Sequence, residues 1–440
     1  MKIYTFNSSD SGGGAENVNF ALHNYFKSKG HRSTMFVGKK QTESTDVLRI
    51  ANDEYQSLWV KLTKKLRNNA KGILKSSFNF IGSPNHRAKI FGREPMYYPG
   101  SKYILKDNEL PDIIHMGNLH GKYFDLKQLI YISKVVPTIL RLSDMWMFTG
   151  HCAHSLDCER WEIGCGKCPD LNLYPAIKYD ATKQNFNFKK KIYMKSRFYI
   201  STPSNWLMKK VKRSILRYAA VDYRVIPTGI NTKYFIPGDK IKARKSINIG
   251  SKDKVVLAFK NGFLGYKWFL QSDFFESLGS EIPTREKILF LIIGFEEYEI
   301  NVNNIKIRYI KNIKDKSTLR KYYQSSDLYL HLSKAENYSN TIMEAQSCGL
   351  PTLAYEIGGN PEQVIPFNSS SKFYQKISKP TGALVNISDK NELVQLLTYL
   401  LDNNEKRDEL SINAINHASL NFNFENFADS YLRWYSQILS

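Results

Sequence analysis

Between Leu328 and Pro351 the sequence changes periodicity, and the change constrains the fold more than any other stretch. Leu328 to Leu332 reads as an apolar strand running into a polar turn. Ser339 or Asn340 then offers an oxygen to cap a helix of Thr341 to Cys348, which Gly349 and Pro351 close. Glu336 stands before the helix start and Glu344 lies inside the helix. Free backbone N–H groups and the positive end of the helix dipole favour a phosphate at that start, with carboxylates on either side to accept from sugar hydroxyls. The stretch predicts a nucleotide-sugar site.

The same alternation recurs along the chain. Val255 to Phe259, Ile288 to Ile293, Ile305 to Ile310 and Thr352 to Ala354 read as strands between helices such as Thr318 to Tyr323. Lys2 to Phe6, Thr34 to Val37, Pro111 to His115 and Phe198 to Thr202 read as strands of an earlier set. At 440 residues the chain is long enough for two cores. Val225-Ile226-Pro227-Thr228-Gly229-Ile230-Asn231 marks the passage between them, because Pro and Gly fix a turn where the apolar pattern breaks. The expected division is therefore a domain of residues 1–224, a second of 225–420 and a C-terminal helix of 421–440.

The formal charge of +22 points to nucleic acid, an anionic membrane face or a phosphate-bearing substrate. No nucleic-acid motif is recognisable, so the second and third are favoured. Much of the excess lies in the segment 58–93, where Lys61, Lys64, Lys65, Arg67, Lys71, Lys75, Arg87, Lys89 and Arg93 occur with no acid among them. Interleaved Leu58, Trp59, Leu62, Leu66, Ile73, Leu74 and Phe78 make it either a basic amphipathic helix on lipid headgroups or a helix whose apolar stripe packs on its own domain. The first strand begins at Lys2 without a signal segment, and no apolar run approaches the roughly 18 residues of a membrane span. The expected location is cytoplasmic, with peripheral contact on the inner face of the plasma membrane.

Two loops and a cysteine cluster complete the local readings. Gly12-Gly13-Gly14 opens a helix and lets the backbone approach a pyrophosphate, although Asn17 stands where a dinucleotide fingerprint needs glycine. Four of the five cysteines, Cys152, Cys158, Cys165 and Cys168, lie between residues 152 and 168. In a reducing compartment they read as ligands of a structural zinc, as reduced thiols or as an oxidised pair.

Two glutamates separated by seven residues and followed by Ala345-Gln346-Ser347-Cys348-Gly349-Leu350-Pro351 resemble the signature of the family-four retaining glycosyltransferases. The resemblance implies an α/β chain of GT-B architecture, two Rossmann-like domains facing a central cleft, with donor bound mainly to the second and acceptor mainly to the first. It makes Glu336 the sugar contact and Glu344 the ribose contact, with Asn340 and Thr341 on the diphosphate. Gly13 and Gly14 would face the donor phosphates. Lys267 fits the family's phosphate-binding lysine, while Asn261 falls where an arginine is usual and Lys260 stands beside it. Gly358-Gly359-Asn360-Pro361-Glu362 is similar to a turn close to the donor.

In the first domain, relatives read His-x-His where this sequence has His115-Met116-Gly117; either His120 takes the second histidine's place or that role is lost. Leu142 to Cys168 resembles a subgroup of bacterial exopolysaccharide and O-antigen assembly enzymes with clustered cysteines. Ser143 replaces a histidine there, and Asp144 keeps an acid that could orient an acceptor hydroxyl or take its proton. The last helix, carrying Phe427, Tyr431, Trp434 and Tyr435, would return to the first domain.

The implied function is metal-independent, retaining transfer of a sugar from a nucleoside diphosphate to a saccharide or lipid-linked saccharide, with no cofactor needed for catalysis. The alternatives are a nucleotide-sugar modifying enzyme of the same fold, or a membrane-associated scaffold that keeps the donor fold without catalysis.

Overall fold

The structure is a computed structural model that describes residues 1–106, 109–251, 253–260, 272–283, 287–369 and 379–440. The chain divides into two compact units, Met1–Ile226 with Ala428–Ser440, and Pro227–Phe427.

The first unit is built on a seven-stranded sheet: β1 Lys2–Ser9, β2 Arg32–Lys39, β3 Val47–Arg49, β4 Ile113–Met116, β5 Thr138–Arg141, β6 Phe198–Thr202 and β7 Ala220–Val225. Their order is β3-β2-β1-β4-β5-β6-β7, with every pairing parallel. β4 and β5 are buried at every position, His115, Thr138 and Arg141 included, as strands covered on both faces are. The order reverses between β1 and β4, and it is outside the carboxyl ends of the strands at such a point that doubly wound sheets bind ligands.

Residues 428–440, most of the helix Phe424–Leu439, pack on this unit. The Tyr435 hydroxyl lies 2.5 Å from His115 Nδ1, that of Tyr431 is 2.9 Å from Ser201 Oγ, and Trp434 Nε1 donates to Asp222 at 3.0 Å. Each buried aromatic thus has its polar atom met by a partner in this unit.

The basic segment forms three helices, not one: Leu58–Asn69, Gly72–Gly82 and Pro84–Ile90. Gly72 takes φ +54, which a glycine adopts without penalty, and Pro84 begins the third helix at a position where its missing N–H costs nothing. The first two helices meet where a Cβ on Gly82 would stand 2.0 Å from Thr63 Oγ1. Thr63 is the one buried residue of Leu58–Asn69. Much of the apolar stripe is left uncovered: Leu58 and Ile73 are each 85% exposed and Leu74 64%, while Phe78 is half-buried.

The second unit repeats the plan with β8 Lys254–Phe259, β9 Ile288–Ile293, β10 Tyr298–Val302, β11 Ile305–Ile310, β12 Leu328–His331, β13 Thr352–Tyr355 and β14 Gly382–Val385. The order is β10-β11-β9-β8-β12-β13-β14, parallel except for the antiparallel edge pair β10 and β11. All six residues of β9 are buried, as the unbroken apolar run requires. Here the order reverses between β8 and β12, so the carboxyl ends that matter are those leading to Lys260 and to Glu336. No helix of the described residues is long and apolar enough to cross a membrane.

Candidate functional site

In the second unit the helix Asn340–Ser347 begins one residue earlier than the sequence suggests, with Ser339 as the cap, its Oγ accepting from Ile342 N at 3.5 Å. The cap is fixed from behind: Ser339 N donates to Gln363 Oε1 at 2.6 Å, and Gln363 Nε2 returns a bond to Ser339 O at 2.8 Å. One side-chain amide thus pins both backbone groups of the residue that opens the helix. Asn340 and Thr341 follow as its first residues, as a phosphate contact through backbone N–H groups requires.

A run of polar contacts through buried His331 and Tyr329 leads from Glu336 to this helix start. Glu336 Oε2 lies 3.6 Å from His331 Nε2, and His331 Nδ1 is 2.9 Å from the Tyr329 hydroxyl. That hydroxyl donates to Thr341 Oγ1 at 2.6 Å, and Thr341 Oγ1 lies 3.0 Å from Ser339 Oγ. Glu336 Oε1 also accepts from Asn337 N at 3.0 Å. Tyr329 and His331 were not singled out from the sequence. The signal was the period of two in β12, which sends both side chains to one face of a buried strand.

Gly358 and Gly359 close the same site. A Cβ on Gly358 would stand 1.8 Å from Glu336 O, its φ of +56 is left-handed, and Gly359 N donates to Glu336 O at 3.3 Å. No side chain fits there, so the glycine turn holds the backbone that carries Glu336. Glu344 lies on the same helix, its Oε2 accepting from the Tyr323 hydroxyl at 2.8 Å. Burial pushes its carboxyl up to about 7 against the opposing pull of that hydrogen bond. Asn261 and Lys267, the other expected donor contacts, lie outside the described residues. Lys260, at the end of β8, has its ammonium over the Phe295 ring at 4.3 Å.

In the first unit, β1 ends at the glycine loop. Gly12 takes φ +122, and Gly13 caps the helix Gly14–Ser28 in extended conformation without any side-chain cap, leaving its first N–H groups available. Glu16 in that first turn accepts from Ser8 Oγ at 2.7 Å. Its second oxygen and the side-chain amides of Asn7 and Asn19 are buried with no hydrogen-bond partner among the described residues, a polar hole at the switch point of the sheet.

The loop after β4 explains the missing histidine. A Cβ at Gly117 would stand 1.9 Å from Asn19 Nδ2, so a larger residue at 117 would have to displace the Asn19 side chain. His115 is sealed in the core, held neutral by burial that lowers its pKa to about 3. His120 is the histidine that reaches an acid: its Nε2 lies 2.9 Å from Asp144 Oδ2. Burial disfavours the imidazolium, yet the Asp144 charge and hydrogen bond outweigh it and raise His120. Asp144 is correspondingly lowered, burial notwithstanding, by His120. Asp144 Oδ1 accepts from Trp146 N at 2.8 Å, and Ser143 Oγ donates to Asn118 Oδ1.

Behind Trp146 lies a buried cation that sequence reasoning missed. Lys189 Nζ stands 3.7 Å from the Trp146 ring centroid and pairs with Glu94 at 3.0 Å, while donating to Trp146 O at 2.7 Å. Its signal was a lysine on the stripe that also carries Phe186, Ile192 and Tyr193 in the helix Thr182–Tyr193.

The cysteines are free thiols. Cys165 Sγ accepts from Gly150 N at 3.2 Å, Cys168 Sγ lies 3.4 Å from His151 Nε2, and burial pushes the Cys152 thiol up to about 12. Among the described residues no group of three or more His, Cys, Asp or Glu could hold a metal ion, and Cys152, Cys158, Cys165 and Cys168 do not form one. No step of the function below passes through a metal.

Residues 239–417 match the family model described as "Glycosyl transferases group 1". Over 202 residues, 44% of this chain and 45% of the relative, the chain is 29% identical to WcaC of Escherichia coli (strain K12), which bears the name of a colanic acid biosynthesis glycosyl transferase. The chain spans less than half of that relative's length. Among solved structures it is similar to Anabaena Alr3699/HepE in complex with UDP-glucose, with a TM-score of 0.59 at 13% identity, covering 99% of this chain and 100% of that one. Sucrose-phosphate synthase from Thermosynechococcus elongatus gives a TM-score of 0.60 at 15% identity, covering 99% and 98%. At such identity these likenesses show the fold, which is GT-B: an α/β chain of two Rossmann-like halves.

Proposed function

We propose that the chain is a retaining glycosyltransferase that moves a sugar from a nucleoside-diphosphate donor to a saccharide or lipid-linked saccharide in bacterial cell-surface polysaccharide biosynthesis. The observation that carries this reading is the convergence of Glu336, the Gly358-Gly359 turn and the start of Asn340–Ser347 through the His331–Tyr329–Thr341 chain. A carboxylate fixed beside an anion-binding helix start is suited to a sugar bonded to a diphosphate. As the sugar leaves, negative charge grows on the phosphate, and fixed N–H dipoles stabilise it without reorganising. Glu336 then orients the sugar and steadies positive charge at its reacting carbon, with no covalent nucleophile needed. In the first unit, His120 and Asp144 form the pair suited to orient an acceptor hydroxyl. Similarity to WcaC, with its colanic acid name, supports the polysaccharide setting, and similarity to a UDP-glucose complex supports a nucleotide-sugar donor.

The test is a thermal-shift panel of nucleoside diphosphates, followed by slow hydrolysis of the matching nucleotide sugar. A ligand at a hundred times its Kd adds about 2.7 kcal/mol, so a rise of several degrees is expected for one nucleoside series. Stabilisation by none of them removes the donor reading; stabilisation without any hydrolysis or transfer favours the scaffold.

The reading also includes peripheral membrane contact. The helices Leu58–Asn69 and Gly72–Gly82 expose Leu58, Trp59, Ile73 and Leu74 among lysines and arginines with no acid between Lys61 and Arg93. Each cation near an anionic surface contributes about 1 kcal/mol. Binding to vesicles of mixed phosphatidylglycerol and phosphatidylethanolamine is expected, lost in 0.5 M salt and lost on replacing Leu58, Trp59, Ile73 and Leu74 by Ser. Equal affinity of that variant and the natural chain would exclude this surface.

A further inference from the structure

The first unit holds a cavity of about 710 Å³ whose inner wall includes His120 and Trp146. Its apolar lining comes from Ile90, Met96, Leu119 and Phe124, while Lys89, Arg93, Lys122 and Lys178 stand around it as exposed side chains. Among the described residues none of these four cations makes an ion pair. The one acid in the lining, Glu94, is already paired with Lys189 at 3.0 Å. Asp144 stands behind the lining, bonded to His120 and to Trp146 N, and His86 and His151 add two further groups that protonation would make positive.

Two features indicate that this space is built for a ligand. His120 is 6% exposed, and its Nδ1 has no hydrogen-bond partner among the described residues, although Nε2 is held by Asp144. A buried ring nitrogen without a partner costs free energy that a hydroxyl of a bound molecule would recover. Lys122, two residues on, is held at φ +66 after Gly121 at φ +112, a left-handed conformation a lysine rarely takes. Lys89 faces Lys122, and its pKa is lowered first by burial and then by that neighbouring charge. Two ammonium groups brought together without an acid leave an uncompensated charge for an anion.

We propose that this cavity binds an acceptor saccharide carrying a phosphate or diphosphate, the anion held by Lys89 and Lys122 and an acceptor hydroxyl placed at His120 Nδ1. The proposal rests on the glycosyltransferase reading for its second half only. Phosphate could arrive on a lipid carrier or on a soluble sugar phosphate; the apolar lining favours the lipid. So does the path of the chain, because Lys89 and Ile90 belong to the helix Pro84–Ile90 that continues from the exposed apolar helices.

The test measures binding of farnesyl diphosphate, farnesol and glucose 1-phosphate to the full chain, with UDP as a reference ligand. The variants are Lys89→Met, Lys122→Met and the pair; both side chains are exposed, so the fold should persist. Farnesyl diphosphate is expected to bind at least tenfold more tightly than farnesol, and the double variant to lose at least tenfold. Glucose 1-phosphate binding as tightly as farnesyl diphosphate, with the same loss in the variant, would support the soluble source within the same proposal. Unchanged affinity in the double variant, or no binding by either phosphate, overturns it. Loss of UDP binding in the double variant also overturns it, since the cations would then serve the donor. If UDP fails to bind the natural chain while the phosphate probes bind and lose affinity in the variant, the anion site stands and the donor reading fails.

Discussion

Glu336→Gln is expected to lower kcat/KM for sugar transfer by about a hundredfold to a thousandfold, the range found when one preorganised electrostatic contact is removed from a reaction centre. The amide keeps the shape of the side chain and can still accept from Asn337 N, the contact made at 3.0 Å. In the role proposed for Glu336, what it loses is the negative charge set against a sugar carbon becoming positive. Because the Glu336 side chain is 25% exposed and its contact to His331 Nε2 is 3.6 Å, the carboxylate bears little of the packing of the second unit. The melting temperature should therefore move by less than the several degrees that a change of about 1 kcal/mol or more would give. Nucleoside-diphosphate affinity should also be nearly unchanged, since the proposed site gives the diphosphate to the helix start and not to this carboxylate. A variant that retains more than a tenth of the natural kcat/KM would show that Glu336 does not touch the reacting sugar. One that loses activity together with its fold would show that the His331–Tyr329–Thr341 chain is a structural device.

How much of this was legible in the sequence depended on distance along the chain. The Glu336 and Glu344 spacing, the Ser339 cap and the Gly358-Gly359 turn are local, and local chemistry specifies a helix start without knowledge of what lies beside it. The break of the basic segment was also local, at Gly72 and Pro84, but a run of lysines between apolar residues reads as one helix unless those two residues are given their backbone meaning. Other features needed the sheet. Gly117 is small because Asn19, nearly a hundred positions earlier, fills its side-chain space; His120 meets Asp144 because the loops after β4 and β5 rise from neighbouring strands. The buried pair of Glu94 and Lys189 joins residues 95 positions apart, and no pattern in either segment names the partner. The cysteine cluster shows the converse: spacing suggested a ligand set, whereas among the described residues no three such groups are arranged to hold a metal ion.

Glu344→Gln is expected to stabilise the second unit and weaken its ligand at the same time. The natural carboxyl, pushed up to about 7 by burial, keeps its proton in the folded state over a range where the unfolded chain, with an ordinary carboxyl near 4.5, has released it. The unfolded state binds fewer protons in that window, so stability falls as pH rises from about 4.5 to 7 and is level above it, a loss of up to about 3 kcal/mol. Gln has no proton to lose and can still accept from Tyr323, whose hydroxyl lies 2.8 Å from Oε2. At pH 5 variant and natural chain should melt together; at pH 8 the variant should melt several degrees higher. Binding runs the opposite way. A ribose diol donates two hydrogen bonds to a carboxylate, each worth about 1.5–3 kcal/mol when the acceptor is charged, and an amide offers one weaker acceptor. Nucleoside-diphosphate affinity at pH 8 should fall tenfold or more in the variant. In the natural chain it should rise about tenfold per pH unit up to about 7 and then level, because binding requires the deprotonated acid. Coincident melting curves at pH 8 would show that the carboxyl is not strained by burial. An affinity independent of pH between 5 and 8 would place the ribose elsewhere. A variant that melts higher at pH 8, together with an affinity of the natural chain that climbs to pH 7, would instead mark Glu344 as an acid whose charge burial opposes and ribose hydroxyls relieve.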